Sequence, residues 1–420
     1  MWLWVWLFCC PVYAEIVVFH SPDGTVIDME KYAAAGKTAV VWLPAEHGFV
    51  AEDRQIAQQL QRLGYEIWLV KLLEAYFLPA VPSSLDQIEG HTVSAVVSFI
   101  QTHSMKSVVL MSANHGAALL LRGLADWQAT AKVASPKVDS LALAVHGAVL
   151  LSPIFFNKTP EPGETPSLYP VVAAFRHQMV IIQPEKSPWH WHLPATVKRL
   201  NKQGSHVLIK TLPKVRDRFY YRPDATAAEI QQAVRLPGQI AAAVEWLKAQ
   251  RRPIAQSKAM TANDVTTQKN EPKIKIFAGA PLAPPLKLSN LQGQVVDLAA
   301  LVGKVKIINF WASWCPPCIH EMPSLQLRFE QMQDKMVLLA VNIAEPKNEI
   351  TRFLKDKVKV NFPILMDEKG TTVKKWKVYA FPSSFILDKN NRMRYGVYGA
   401  VDWMSTDITK ILEQLSLENP

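Results

Sequence analysis

The sequence predicts an α/β protein of two units. An α/β parallel-sheet unit spans residues 15–250, and a second, smaller α/β unit spans residues 276–420. Three observations predict this. Uninterrupted apolar runs such as Val108-Val109-Leu110-Met111 recur between segments with helical spacing, and such strands belong to a sheet covered on both faces. The 420 residues exceed one ordinary core, at roughly 100–200 residues per domain. Between the units, RRPIAQSKAMTANDVTTQKNEP (Arg251–Pro272) is polar, lacks aromatics and has no sustained periodicity, so residues 251–275 read as a linker.

Taken in order, the first fourteen residues, MWLWVWLFCCPVYA, are almost wholly apolar. They are too short for a membrane span of about 20 residues. They close on Val12-Tyr13-Ala14, a small-residue pattern suited to cleavage before Glu15, although no Lys or Arg precedes the apolar run. Residues 1–14 are therefore expected to be a signal peptide. Strands are expected at Thr38–Leu43, Glu66–Leu72, Ser107–Met111, Gly147–Leu151, Gln178–Gln183 and His206–Thr211. Helices are expected at Ala51–Leu63, Ser84–Thr102, His115–Trp127 and Ala225–Gln250, with apolar residues three and four apart for packing on the sheet. In the second unit, Val305–Phe310 and Met336–Val341 read as buried strands with the helix Pro316–Gln333 between them. Phe385–Leu387 and Arg394–Val397 flank a turn and read as a hairpin.

Composition narrows the function. With 49% apolar and 20% charged residues, the chain is an ordinary globular protein. Its net charge of +10 is spread along the sequence without a dense Lys/Arg block, which argues against a nucleic-acid partner. Of four cysteines, Cys9 and Cys10 fall in the leader and Cys315 and Cys318 form one C-x-x-C. A cleaved chain then holds a single dithiol and no stray thiol, which suits an oxidising compartment. The expected location is the periplasm, free or membrane-associated.

The dithiol is the strongest chemical signal. In Ile308–Cys318, INFWASWCPPC, an apolar strand runs into the cysteines and a helix follows. Cys315 then sits at a helix N-terminus, where free N–H groups and the helix dipole favour the thiolate, the species that attacks a disulfide. Pro316 and Pro317 suit a first turn whose N–H groups lack intrahelical partners. Cys318, one turn in, would be more buried and would resolve the mixed disulfide. A zinc site needs two further ligands, and only His320 is near, so no metal is expected.

The segment VKIINFWASWCPPCIHEMPSL, Val305–Leu325, resembles the TlpA/ResA-type thioredoxin-like thiol–disulfide oxidoreductases. The resemblance covers about Ala278 to Leu415, with the lead-in Gly279-Ala280-Pro281 and the loop Tyr379-Ala380-Phe381-Pro382-Ser383-Ser384-Phe385. It implies a thioredoxin-like fold with Cys315 and Cys318 as redox pair and Pro382 as a cis-proline facing them. It further implies that the Phe381 backbone meets a substrate chain and that Glu321 relays a proton to the buried thiol. Trp314, Pro316 and Pro317 join Phe381 as substrate contacts, and Trp311 packs. The implied activity is reduction of disulfide-containing protein substrates, with electrons from a membrane thiol–disulfide donor and no cofactor beyond the Cys315–Cys318 disulfide. One departure bears on partner choice. Cytochrome-maturation members often carry G-V-Y-G-x-P-E, whereas here Lys377–Ser383 reads KVYAFPS, which weakens apocytochrome c as substrate.

The first unit resembles an α/β-hydrolase that has lost its chemistry. The G-x-S-x-G elbow is represented by Ser112-Ala113-Asn114-His115-Gly116, with Asn114 in place of the nucleophile. The acid position falls near Glu185. The late loop Val215–Tyr220, where a base belongs, has no histidine. His115 is expected to pack or to cap its helix. A catalytically inactive, partner-binding domain is the expectation. Trp189-His190-Trp191-His192 is expected to be a packing loop, with metal coordination by its two histidines as the other reading; Tyr220 and Tyr221 read as surface or core contacts. Two alternatives for the whole chain are a redox-sensing binding protein and an unusual hydrolase.

Overall fold

The computed structural model describes residues 14–134, 144–157, 163–164, 166–174, 176–202, 204–250 and 273–419. Residues 1–13 of the expected signal peptide and nearly all of the expected linker lie outside the described residues. The chain divides into two compact units. The first comprises Met1–Phe155, Leu168–Glu185 and Ala195–Thr266, and the second comprises Phe156–Ser167, Lys186–Pro194 and Thr267–Pro420. Two short segments that the sequence places within residues 15–250 thus group with the second unit.

The first unit is built on eight strands: β1 (Glu15–His20), β2 (Val26–Tyr32), β3 (Thr38–Trp42), β4 (Glu66–Val70), β5 (Ser107–Ala113), β6 (Val145–Leu151), β7 (Gln178–Lys186) and β8 (His206–Arg216). Their order across the sheet is β1-β2-β4-β3-β5-β6-β7-β8. β3 pairs in parallel with β4 and β5, and β5, β6 and β7 continue in parallel. β1 and β2 form an antiparallel edge that joins β4. Every residue of β3, β4 and β5 is buried, as their continuous apolar runs demand. The helix Ala51–Arg62 turns Ile56, Ala57 and Leu60 to the core, and the Asp53 carboxylate accepts the Val50 amide at 2.9 Å to close its first turn.

The helix expected over Ser84–Thr102 is two helices, Pro82–Asp86 and Gly90–Ser104. The second packs against the helix Gly116–Ala134 so closely that a Cβ at Gly90 would lie 2.8 Å from the Arg122 carbonyl carbon. That approach, and the extended backbone at Glu89, set the break.

The second unit holds β9 (Lys273–Ile276), β10 (Lys287–Ser289), β11 (Val295–Asp297), β12 (Val305–Trp311), β13 (Met336–Ile343), β14 (Ile364–Asp367), β15 (Ser383–Leu387) and β16 (Met393–Tyr398). Six of them form one sheet, ordered β14-β13-β12-β15-β16-β9, and β10 and β11 pair as a separate hairpin. β12 lies near the middle, parallel to β13 and antiparallel to β15. Apolar clusters cover both faces of this sheet. The central strand therefore delivers its C-terminal end, and the turn after it, from a rigid base.

Candidate active site

Cys315 and Cys318 are joined by a disulfide where β12 gives way to the helix Pro316–Met332. Cys315 is the N-cap: its backbone is extended, its amide donates to the Ala312 carbonyl at 3.2 Å, and its Sγ accepts the Cys318 amide at 3.3 Å. On reduction, a charge on that sulfur meets a backbone donor and the positive end of the helix. Pro316 and Pro317 fill the first helical positions and are exposed, as their missing N–H groups allow. Cys315 is 6% exposed and Cys318 only 1%. The asymmetry expected of an attacking and a resolving cysteine is present, although even the outer sulfur is well covered.

Glu321 follows Cys318 by three residues on the same helix and is 2% exposed. Its Oε1 accepts from Asn309 Nδ2 at 2.8 Å and its Oε2 from the Val401 amide at 3.3 Å. Burial pushes its carboxyl up to about 7, and these two hydrogen bonds offset only part of that effect. A carboxyl that titrates near neutrality beneath a dithiol can take and return a proton under working conditions.

The Phe381–Pro382 peptide is cis. The Phe381 ring meets Trp314 edge-on at 5.8 Å, and both pack on the apolar cluster that contains the two cysteines. The loop at Pro382 and the turn at Cys315 thus converge. Trp311 is fully buried and packs against Phe353, in keeping with a packing role.

One buried group escaped the sequence reading. Glu345 is 1% exposed and accepts the Ser313 amide at 2.7 Å, the Ser313 hydroxyl and Asn342 Nδ2 at 2.8 Å. It ties the turn ahead of Cys315 to the end of β13. The only signal was a polar pair, Asn342 and Glu345, closing an apolar strand. Replacing Glu345 by alanine leaves the buried Asn342 carboxamide and the half-buried Ser313 amide without an acceptor, and is expected to cost about 2 kcal/mol. A urea melt of the second unit reads this loss, and an unchanged midpoint would deny Glu345 the role.

In the first unit, Asn114 sits in the left-handed region at φ +48°, on the sharp turn between β5 and the helix Gly116–Ala134. Asparagine tolerates that conformation better than most residues. Gly116 has no alternative here, because a Cβ would fall 2.1 Å from Ser112 Oγ and 2.3 Å from the Pro44 carbonyl oxygen. A small cavity beside the turn is lined by Asn114, Ser152, Arg218, Tyr220 and Tyr221 among others. The Arg216–Tyr221 segment reaches it because buried Arg216 is clamped to Glu229, Nε to Oε1 and Nη2 to Oε2, both at 2.7 Å. Tyr220 and Tyr221 are therefore half-buried contacts at the edge of the core, bonded to Asp53 and His47 at 3.0 and 2.7 Å.

Glu185 does not join this site. It is exposed, and its Oε2 accepts the Lys214 amide at 2.7 Å. The acids at the turn are instead Glu46, which accepts the His115 amide at 3.3 Å and pairs with Arg218, and Asp217, which accepts from Ser152. Sequence places a carboxylate after a strand but does not say which way it turns. Despite the cost of burial, the His115 and Arg218 partners hold the Glu46 carboxyl down to about 2. Among the described residues, no group of three or more His, Cys, Asp or Glu side chains is placed to hold a metal ion.

Residues 281–396 match the AhpC/TSA family model. The chain is 33% identical over 134 residues to the thiol-disulfide oxidoreductase ResA of Geobacillus thermodenitrificans, covering 75% of that protein and 32% of this chain. The chain belongs to the ResA-type family of thioredoxin-like thiol–disulfide oxidoreductases through its second unit. It is also 37% identical over 109 residues to the thioredoxin-like protein YneN of Bacillus subtilis, covering 64% of that protein and 26% of this chain. Among solved structures, StoA of Bacillus subtilis is 27% identical, with 97% of that chain and 32% of this one covered and a TM-score of 0.29. The family model matches within the second unit, so family membership speaks for the dithiol unit.

Proposed function

We propose that the chain is an exported thiol–disulfide oxidoreductase that reduces protein disulfides, with a catalytically silent hydrolase-like unit that binds partners. The observation that carries the redox reading is the Cys315–Cys318 pair at a helix N-terminus above the buried, near-neutral Glu321. In the reduced state the Cys315 thiolate attacks one sulfur of a substrate disulfide and expels the other as a thiolate, which takes a proton from water. Glu321 accepts the Cys318 proton, and the Cys318 thiolate attacks Cys315 Sγ. That attack breaks the bond to the substrate and expels its second sulfur as a thiolate, which takes up the proton held by Glu321; the substrate leaves as a dithiol, and two electrons have passed to it as Cys315–Cys318 re-forms. A membrane thiol–disulfide donor returns the pair to the dithiol. The single dithiol outside the expected leader supports a periplasmic location. Pre-reduced full-length protein mixed with insulin tests the reading. One insulin disulfide opened per chain is expected, and an unreacted dithiol would refute it.

The strand order, the parallel centre and the left-handed Asn114 at a strand-to-helix turn support the hydrolase-like reading of the first unit. Its silence follows from the residues at the turn. Asn114 supplies no nucleophile, the 215–220 loop supplies no histidine, and the His115 amide that an oxyanion needs is held by Glu46. Asn114→Ser is therefore expected to leave nitrophenyl-acetate hydrolysis at background. Turnover with that variant would show that a base is present after all.

A further inference from the structure

The Trp189-His190-Trp191-His192 run lies in Lys186–Pro194, which groups with the second unit. There it meets the loop that ends in the cis-proline. His192 Nε2 lies 2.7 Å from the Val378 carbonyl oxygen, which can only accept, so Nε2 carries the proton. The same imidazole stacks on Tyr379, with ring centroids 3.8 Å apart. Trp191 is 8% exposed and meets Phe381 edge-on at 6.2 Å. Its indole lies so close over Gly370 that a Cβ there would fall 2.2 Å from Nε1. Three of the five residues Val378–Pro382 are thus held by two neighbouring side chains of one strap.

Covering an apolar loop needs no directed bond. Here a hydrogen bond to one loop residue, a stack on the next and an aromatic edge on Phe381 fix the loop's position. Among the described residues, neither the Phe381 amide nor its carbonyl makes a hydrogen bond. An extended chain passing beside Cys315 can pair with those groups as an added strand would. A small disulfide needs only the sulfur.

We propose that Trp191 and His192 are positioning residues that hold the Val378–Pro382 loop for polypeptide disulfides as a substrate class. The proposal rests on the reading of Cys315–Cys318 as an exchange site. It assigns to the strap a part in recognising backbone, and none in the electron transfer itself.

Full-length Trp191→Ala, His192→Ala and His192→Gln, each pre-reduced and freed of reductant, are compared in single-turnover reactions with two oxidants in excess, insulin and the small aromatic disulfide dithionitrobenzoate, where KM and kcat are the half-saturating concentration and the limiting rate of that one turnover. Each alanine variant is expected to raise the KM for insulin about tenfold, the size of one lost hydrogen bond or aromatic contact, with kcat and the dithionitrobenzoate rate within about twofold of the parent. His192→Gln keeps a donor for the Val378 carbonyl and is expected to stay near the parent. Amide exchange over 378–383 is expected to quicken in His192→Ala and not in His192→Gln. An unchanged insulin KM, or unchanged exchange over the loop, overturns the proposal. So does an equal loss on both oxidants, which would make the strap a support of the fold. A parent inactive on both oxidants, with its disulfide still reducible by dithiothreitol, would refute the exchange reading and this proposal with it.

Discussion

Cys315→Ser is expected to abolish insulin reduction, while Cys318→Ser attacks once and stops. The difference follows from the position of each sulfur. Cys315 caps the helix, and its sulfur already accepts the Cys318 amide, so the thiolate forms where a donor waits for it. A serine hydroxyl in that place does not ionise near neutrality and has no disulfide chemistry. Cys318 is almost wholly buried and reaches a substrate only through Cys315. Its serine variant therefore accumulates one mixed disulfide per chain, seen as a mass shift that dithiothreitol reverses. Equal residual activity in the two variants would mean that the cysteines do not divide the labour in this way.

Glu321→Gln is expected to slow turnover and stabilise the fold at once. The carboxyl titrates near 7 in the folded chain, against 4.5 for an unperturbed glutamate. Between those values the folded state holds a proton that the unfolded chain has released. The contribution of Glu321 to stability is therefore full below pH 4.5 and is lost as pH rises to 7 and through it, by about 3 kcal/mol in all. Glutamine carries no charge to bury, so the variant loses that slope and melts higher than the parent above pH 7, by calorimetry of the second unit in its disulfide form. The carboxylate is also the proposed acceptor of the Cys318 proton. Insulin reduction by the parent should rise with pH through 7, and the variant should lose that rise and run about 10²-fold slower at pH 7, in the range of general-base effects. A variant with the parent's pH profile would leave Glu321 a structural group only.

Much of the architecture could be read from local pattern. β3, β5, β12 and β13 stand out because each carries an apolar run and is buried almost end to end, and the strand–C-P-P-C–helix order places the dithiol without reference to anything distant. The edge pair β1–β2 was missed. Its residues alternate in exposure, and Glu15–His20 directly follows an apolar leader that masks it. The split of the expected helix over Ser84–Thr102 depends on how closely Gly90 approaches Arg122, a tertiary fact. The orientation of Glu185 and the role of Glu46 were hidden for the same reason, since the Glu46–Arg218 pair spans 172 positions. His192 and Val378 stand 186 positions apart, so nothing near either residue announces their bond. Short-range chemistry was legible, and the groups that position it were not.

The most direct test of the exchange role uses full-length Cys318→Ser in its native compartment, quenched in acid, alkylated and examined for proteins disulfide-linked to Cys315. A discrete set of adducts, absent from the double serine variant, is the predicted result. An empty trap, with Cys315 still open to alkylation in the folded protein, would contradict it.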